Sequence, residues 1–244
     1  MTAELLELVH DAHGGPARWR QLTRLGFTAS AAGILPWPRP DFLADTGGTL
    51  DPHAQRVEFR PFGAPDRRAR YTPGRVEILD AGGTVLAARD EPRRAFDGHP
   101  PGRLWDELQA AYFAGYAFWT YLTIPFLLAW DGVGTAEIEP WRENGETWRR
   151  LRVEFPGTVT THNRVQTLYF GADDHLLRRH DYSPDILGNP LTAHYTGGYR
   201  TFDGFTFPTR RYMVRREPDG TTSGGPLITL DLHSVTTTSE GALP

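Results

Sequence analysis

The sequence contains no cysteine and no lysine. The absence of cysteine excludes thiol nucleophiles, disulfides and iron–sulfur ligation. All 26 basic residues are arginines, so catalysis through a lysine Schiff base, including covalently held pyridoxal phosphate, is excluded. Histidine, tyrosine, arginine and the carboxylates remain as groups that could carry chemistry, and no cofactor is predicted.

A strong excess of charge is also missing. The 244 residues have a net charge of -4, whereas nucleic-acid binding depends on clustered basic residues. The sequence has no Walker loop, no G-x-S-x-G elbow and no dinucleotide fingerprint. We therefore expect no nucleic-acid partner, and the sequence indicates no oligomeric state.

The first residues lack the basic start and the apolar stretch of a secretory signal peptide. Instead, Leu5, Leu8 and Val9 recur at helical spacing, and Gly14-Gly15 follows the run. This spacing predicts a short amphipathic helix. The lack of a signal-peptide pattern predicts a cytoplasmic protein.

Residues 110–130 carry no charged side chain. A run of this length could span a bilayer. Its tyrosines and tryptophans are distributed along the run, however, Pro125 interrupts it, and no basic cluster follows. We predict a buried helix, or a pair of helices bent at Ile124-Pro125, rather than a membrane span. A helix that is apolar all round must be enclosed by other elements.

Strand patterns lie on both sides of this run. Leu151, Val153 and Phe155 alternate with polar residues, and Asp203-Gly204 is a tight-turn signal. We predict an α+β fold in which a strongly curved antiparallel sheet wraps around the aromatic-rich helix, in a single domain of residues 1–244. Its predicted segments are the N-terminal helices (1–22), a first β half (23–100), a buried helical insert (101–131), a second β meander (145–235) and a frayed tail (236–244).

Several stretches carry a resemblance to a known family. The opening DAHGGPARWRQL, the strand pattern and the late YRTFDGFTFPTRR resemble the LolA/LolB-like superfamily of half-barrels closed by helices, which VioE-like proteins resemble in fold. The second half also looks like a family of uncharacterised bacterial proteins with the pattern THxxxQxxYF, LLRRHDY and AHY. The resemblance implies a cavity for an apolar ligand: acyl chains in the carriers, or an intermediate of secondary metabolism in a cofactor-independent enzyme. The chain departs from the carriers because it has no lipobox cysteine.

Histidine, tyrosine and aspartate are concentrated in RRHDYSPDILGNPLTAHY, Arg178 to Tyr195. Alternate residues of a strand share a face, so His180 and Tyr182 point to one side and Asp181 to the other. Pairing the predicted strands through their turns places a polar row across four of them. The row consists of Gln166, His180, His194 and Met213, with Arg164, Tyr182 and Arg215 beside it.

This row has three interpretations. It could be a solvated face without a function. It could face a cavity, where an acid–base set would act on a substrate; the set comprises His180, Tyr182, His194, Gln166 and Arg164. The ligand-binding residues predicted with it are Tyr112, Tyr116, Trp119, Met213, Arg211 and Arg215. In the third interpretation, His180 and His194 hold a metal with Asp185 or His162.

The leading prediction is a protein that binds a hydrophobic small molecule in an aromatic-lined cavity. It would convert the molecule by cofactor-independent acid–base chemistry, as a lyase, isomerase or cyclase that rearranges or cyclises its substrate. Two alternatives stay open: a non-catalytic carrier or sensor of lipidic ligands, and an interaction module whose cavity is filled by its own side chains.

Overall fold

The computed structural model describes residues 2–100 and 102–239. Its α-helices are α1 (Thr2–Ala12), α2 (Pro16–Trp19) and α3 (Glu107–Thr123), and short 3-10 helices cover Pro92–Phe96, Phe126–Ala129 and Asp185–Leu187. The strands are β1 (Leu22–Gly33), β2 (Thr46–Asp51), β3 (Arg56–Phe59), β4 (Arg67–Thr72), β5 (Arg75–Asp80), β6 (Val85–Asp90), β7 (Gly134–Glu143), β8 (Glu146–Glu154), β9 (Val165–Gly171), β10 (Leu177–Tyr182), β11 (Thr192–Phe202), β12 (Phe205–Arg216) and β13 (Thr222–Ser239).

Hydrogen bonds join the thirteen strands in the order β6-β5-β4-β3-β2-β1-β13-β12-β11-β10-β9-β8-β7. Neighbours in this order are also neighbours in sequence, except β1 and β13, the first and last strands, which lie side by side. The predicted α+β class and the antiparallel sheet are confirmed. Enclosure of the aromatic helix by the sheet stays a prediction.

The described residues fall into two compact units. The first unit comprises residues 2–21 and 123–229, and the second comprises residues 22–100, 102–122 and 230–239. The division places the N-terminal helices with the second β meander. It places α3 with the strands of the first β half.

In the first unit, α1 buries an apolar side against protein. Leu5 and Val9 are fully buried, which confirms the amphipathic helix. The β11–β12 hairpin turns at Asp203 and Gly204, whose φ angles are +47° and +80°, so Phe202 pairs with Phe205. Two left-handed residues in a two-residue loop match the twist of the flanking strands, and the predicted turn is confirmed.

In the second unit, α3 approaches the strands closely. A Cβ placed on Gly115 would lie 2.1 Å from Cγ of Tyr71, so only glycine permits this contact. One turn later, Phe118 stacks on Phe27 with ring centroids 5.2 Å apart and meets Phe59 edge to face at 5.5 Å. The helix is therefore a core element, as its lack of charge predicts.

The uncharged run is helical on both sides of Pro125. Helix α3 ends at Thr123, and the 3-10 helix Phe126–Ala129 follows the proline, which confirms an interrupted helical segment. No helix in the described part of the chain has both the length and the apolarity that a membrane crossing requires.

Two segment boundaries differ from the sequence-based expectation. Strand β13 continues to Ser239, so residues 236–239 are strand and not a frayed tail; residues 240–244 lie outside the described residues. Strand β7 (Gly134–Glu143) fills the gap between the predicted insert and the second meander. None of its side chains is buried, so no buried apolar face marks this strand in the sequence.

Candidate functional site

The polar row predicted from the sequence forms on β9 to β12 of the first unit. His180 pairs with His194, Tyr182 with Thr192, and His194 with Met213, which confirms the predicted register of β10, β11 and β12. The expected pairing of His180 with Gln166 is wrong. Phe170 pairs with Leu177, one residue later than expected, and a register shift between Leu177 and Arg179 adds one more, so His180 lies opposite Leu168.

Gln166 nevertheless belongs to the row. It lies two residues from Leu168 and so on the same face of the strand, and its Oε1 lies 2.5 Å from Nε2 of His180. The amide nitrogen of Gln166 donates to Oγ1 of Thr161 and to the carbonyl of Asn163, both at 2.7 Å. With its amide so oriented, Gln166 accepts at Oε1, and His180 therefore carries its proton on Nε2.

The row is withdrawn from solvent. Gln166, His180 and His194 are each at most 1% exposed, and Met213 is 4% exposed. Cross-strand partners place Leu151 beside Leu168 and Val153 beside Gln166 on the same face. The interpretation of the row as a solvated face is therefore wrong: it is a polar patch among buried apolar side chains.

A buried arginine lies at one side of this patch. Nη1 of Arg211 is 3.4 Å from Nε2 of His194, and a guanidinium can only donate. Nε2 of His194 is then the acceptor, so the proton is on Nδ1, which lies 3.4 Å from the hydroxyl of Tyr182. The ring of Tyr182 stacks on His162 with centroids 4.1 Å apart. We name the set Gln166, His180, Tyr182, His194 and Arg211 the histidine patch.

Burial controls the charge of the two patch histidines. Desolvation, with a smaller contribution from the charge of Arg211, lowers the pKa of His180 to about 3. Desolvation also holds the pKa of His194 well below 6.5, followed by Arg211 and the neighbouring His180 and His162. Burial is the larger cause for both residues, ahead of the neighbouring charges. Both imidazoles are neutral at pH 7.

We expect His180 and His194 to stay neutral in the folded protein at pH 5, because protonation would bury an uncompensated charge. Long-range proton–nitrogen NMR spectra should show the proton on Nε2 of His180 and on Nδ1 of His194. Assignment uses the variants His180→Gln and His194→Gln. A ring that titrates near pH 6.5 would contradict this expectation.

The same shift links folding to pH. The unfolded histidines bind protons near pH 6.5, whereas the folded ones do so at lower pH, so the unfolded chain holds more protons between these values. Stability therefore falls as the pH drops from about 6.5 towards 3. Urea unfolding measures this effect: between pH 7 and pH 5, the free energy of unfolding should fall less for His194→Gln than for the parent protein.

Arg164, Arg215 and Asp185 are among the predicted site residues that lie outside the patch. Arg164 precedes β9, is exposed and pairs with Glu154 at 3.1 Å, so its predicted place beside Tyr182 is wrong. Arg215 is also exposed. Asp185 donates its backbone N–H to the carbonyl of His162. Across residues 2–100 and 102–239, no three His, Cys, Asp or Glu side chains converge to hold a metal ion.

Tyr112, Tyr116 and Trp119 lie on α3 and belong to the second unit. All three are at most 1% exposed. The ring of Tyr112 packs against Tyr71, Phe96 and Tyr116, with centroids 5.5–5.9 Å apart. These side chains form part of an aromatic core, and their predicted role as ligand-binding residues stays a prediction.

The opposite face of β10 carries a second polar group. Arg179 is fully buried, with Nε and Nη2 2.6 and 2.9 Å from the carboxylate of Asp181 and Nη1 3.0 Å from Glu143. Its guanidinium lies 4.9 Å from the ring centroid of Tyr169 and 5.4 Å from that of Tyr195. Burial alone would lower the pKa of Arg179, but the hydrogen bonds and charge of Asp181 raise it.

The sequence contains a signal for this group. Charged residues at 179 and 181 alternate with His180 and Tyr182 in RRHDY, so they share a face. Charge at alternate positions ordinarily marks a solvated face. Here Trp141, Trp148, Tyr169, Tyr195 and neighbouring apolar residues cover the charges.

Comparisons with known proteins bear on the fold. No protein-family model matches the chain, and no curated protein matches it in sequence. A LolA superfamily protein from Nitrosomonas europaea matches over 100% of this chain and 96% of its own, with TM-score 0.54 and 10% identity. A DUF1329 family protein from Desulfovibrio piger matches over 100% and 95%, with TM-score 0.52 and 11% identity. The chain therefore has a LolA-like fold, as the sequence resemblance predicts.

Proposed function

We propose that this protein binds an amphiphilic small molecule, with an apolar body and an anionic head, and carries it without converting it. The observation that supports this most directly is the histidine patch: neutral hydrogen-bonding groups and one guanidinium within a buried face that is otherwise apolar. The LolA-like fold supports an apolar ligand, through the carriers that the sequence resembles.

The charges of the patch favour carriage over catalysis. General acid–base catalysis works best when the catalytic pKa lies near the operating pH. His180, with a pKa of about 3, is neutral at pH 7, so it lacks the imidazolium proton of a general acid and is a weak base. We therefore favour a non-catalytic carrier over an enzyme that cyclises or rearranges its substrate.

In this proposal, Arg211 is the residue that favours a ligand with an anionic head group. Its side chain is 4% exposed and remains charged at pH 7, because a guanidinium does not deprotonate in proteins. Hydrogen bonds from arginine to a carboxylate are charge-assisted, and they strengthen where water is excluded. The neutral rings of His194 and Tyr182 can complete the polar contacts. A fatty acid fits this pattern better than an uncharged lipid of the same length.

Dodecanoate and dodecanol test the proposal. We expect saturable binding of both by isothermal titration calorimetry, with dodecanoate tighter. Arg211→Gln should weaken dodecanoate binding by about 10- to 100-fold, the range for one charge-assisted contact, and leave dodecanol nearly unchanged. Arg210→Gln is the matched control, since the adjacent Arg210 is exposed and points to the other face of β12.

The outcomes separate the classes of function. A co-purifying lipid in native mass spectra would support the carrier, and release of an altered molecule would support an enzyme. If neither ligand gives a saturable response, the self-filled interaction module replaces the carrier. If Arg210→Gln and Arg211→Gln weaken dodecanoate equally, the head group binds elsewhere.

A further inference from the structure

A pocket of about 240 Å³ lies on the face of the first unit that carries Arg179 and Asp181. The residues that line it include Trp141, Arg150, Thr167, Tyr169, Asp181 and Arg216, and two members of the histidine patch, Gln166 and Tyr182, also line it. The β12–β13 turn at Pro218, Asp219 and Gly220 closes one side. Pockets for drug-sized ligands have volumes of roughly 300–1,000 Å³, so this one suits a small metabolite.

The floor of the pocket is already neutralised. Both oxygens of Asp181 accept hydrogen bonds from Arg179, and Oδ2 also accepts one from the hydroxyl of Tyr169 at 2.8 Å. Burial raises the pKa of Asp181, while Arg179 opposes this. A cationic ligand would have to compete with a bidentate arginine for this carboxylate, so the floor disfavours a cation.

Two arginines on the walls have hydrogen-bonding capacity for an anion. Nε of Arg216 is buried and makes no hydrogen bond within the described residues, although it lies 3.5 Å from Asp181. Arg150 donates from Nε to the carbonyl of Glu139. No carboxylate in the described part of the chain forms an ion pair with Arg150. A buried donor without a partner is costly, and a carboxylate could accept from Arg216.

The aromatic residues of the pocket and the nearby Asp219 restrict the shape and the charge of a ligand that could bind there. The guanidinium of Arg150 lies 5.5 Å from the ring centroid of Trp141 and 5.7 Å from that of Tyr169, and Arg179 lies over the same two rings. A flat ligand body would meet these rings beside the cations. Asp219 stands at the rim and accepts from the N–H and hydroxyl of Thr221, which lowers its pKa. This fixed negative charge disfavours a dianion such as phosphate.

We propose that this pocket is a second binding site for a small aromatic monocarboxylate, distinct from the Arg211 side of the histidine patch. The carboxylate would bind between Arg216 and Arg150, with Thr167 and Ser183 as neutral hydrogen-bonding partners. The ring would lie against Trp141 and Tyr169.

Calorimetry with benzoate, benzamidine and inorganic phosphate at constant ionic strength tests this site. We expect saturable binding of benzoate, at least tenfold weaker binding of phosphate, and none of benzamidine. Arg216→Gln should weaken benzoate binding at least tenfold. Arg142→Gln, an exposed arginine on β7 outside the pocket, should leave it within twofold, as should Arg211→Gln in the histidine patch.

Three results would overturn the second site: no saturable benzoate binding, tighter binding of phosphate or benzamidine than of benzoate, or equal affinities in Arg216→Gln and Arg142→Gln. Near-UV circular dichroism verifies that each variant is folded. Should Arg216→Gln not fold, Arg150→Gln takes its place with the same expected loss. Dodecanoate binding and Arg211→Gln test the histidine patch, whereas benzoate binding and Arg216→Gln test the pocket. A negative result at one site is therefore distinguishable from a negative result at the other.

Discussion

Replacing Trp119 with alanine is expected to lower the free energy of unfolding by about 3–5 kcal/mol, the range for truncating a fully buried tryptophan. Its side chain is fully buried on α3. Its indole N–H donates to the carbonyl of Asp51 on β2 at 2.8 Å. The alanine variant would lose both the packing and this donor. Urea unfolding followed by circular dichroism measures the change.

Two further variants separate the contributions. Trp119→Phe keeps most of the ring volume and removes the indole donor, so its loss should be smaller than that of Trp119→Ala. Leu104→Ala is the surface control, because Leu104 is 60% exposed and should change stability by less than about 0.5 kcal/mol. A Trp119→Ala variant as stable as the Leu104→Ala control would mean that α3 is not anchored to β2 as described.

Local patterns were sufficient to predict much of the fold. The helical spacing of Leu5 and Val9 predicted α1, and the absence of charge predicted that α3 is buried. The Asp203-Gly204 turn fixed the β11–β12 register, because a two-residue loop leaves one way to pair its strands. Each of these signals lies within a few residues of the structure that it determines.

The β9–β10 register was not predictable in the same way. The predicted pairing ran without interruption from Phe170 to Gln166. In the actual ladder Phe170 pairs with Leu177 and not with Leu176, and a further shift follows between Leu177 and Arg179. Each added residue in one strand moves all later partners. Arg164 was misplaced partly for this reason, and also because β9 begins after it, at Val165.

The sequence pattern could not predict that both faces of β10 are buried. Alternation tells which residues share a face, and it placed His180 and Asp181 correctly on opposite sides. It does not tell which face is dry when both carry polar residues. The charge state of the histidine patch depends on that burial, so the preference for a carrier over an acid–base enzyme required the structure.

The second large effect is expected at Arg179. Arg179→Met should lower the free energy of unfolding by about 3–5 kcal/mol, because it leaves the carboxylate of Asp181 buried without its bidentate partner. The pKa of Asp181, already raised by burial, should rise further in the variant. A folded-state carboxyl with a raised pKa gains stability as the pH falls below that value. Arg179→Met should therefore be less destabilised relative to the parent protein at pH 5 than at pH 8.

Two controls distinguish loss of the charge pair from loss of packing. The adjacent Arg178 pairs with Glu146 and Asp174 near the surface, and Arg178→Met should cost about 1 kcal/mol or less, with little dependence on pH. The double variant Arg179→Met, Asp181→Leu removes the uncompensated carboxylate and should recover part of the stability, since buried ion pairs are often replaceable by apolar residues. If the double variant is as unstable as Arg179→Met at both pH values, the methionine's poor fit among Trp141, Tyr169 and Tyr195, and not the buried charge, explains the loss.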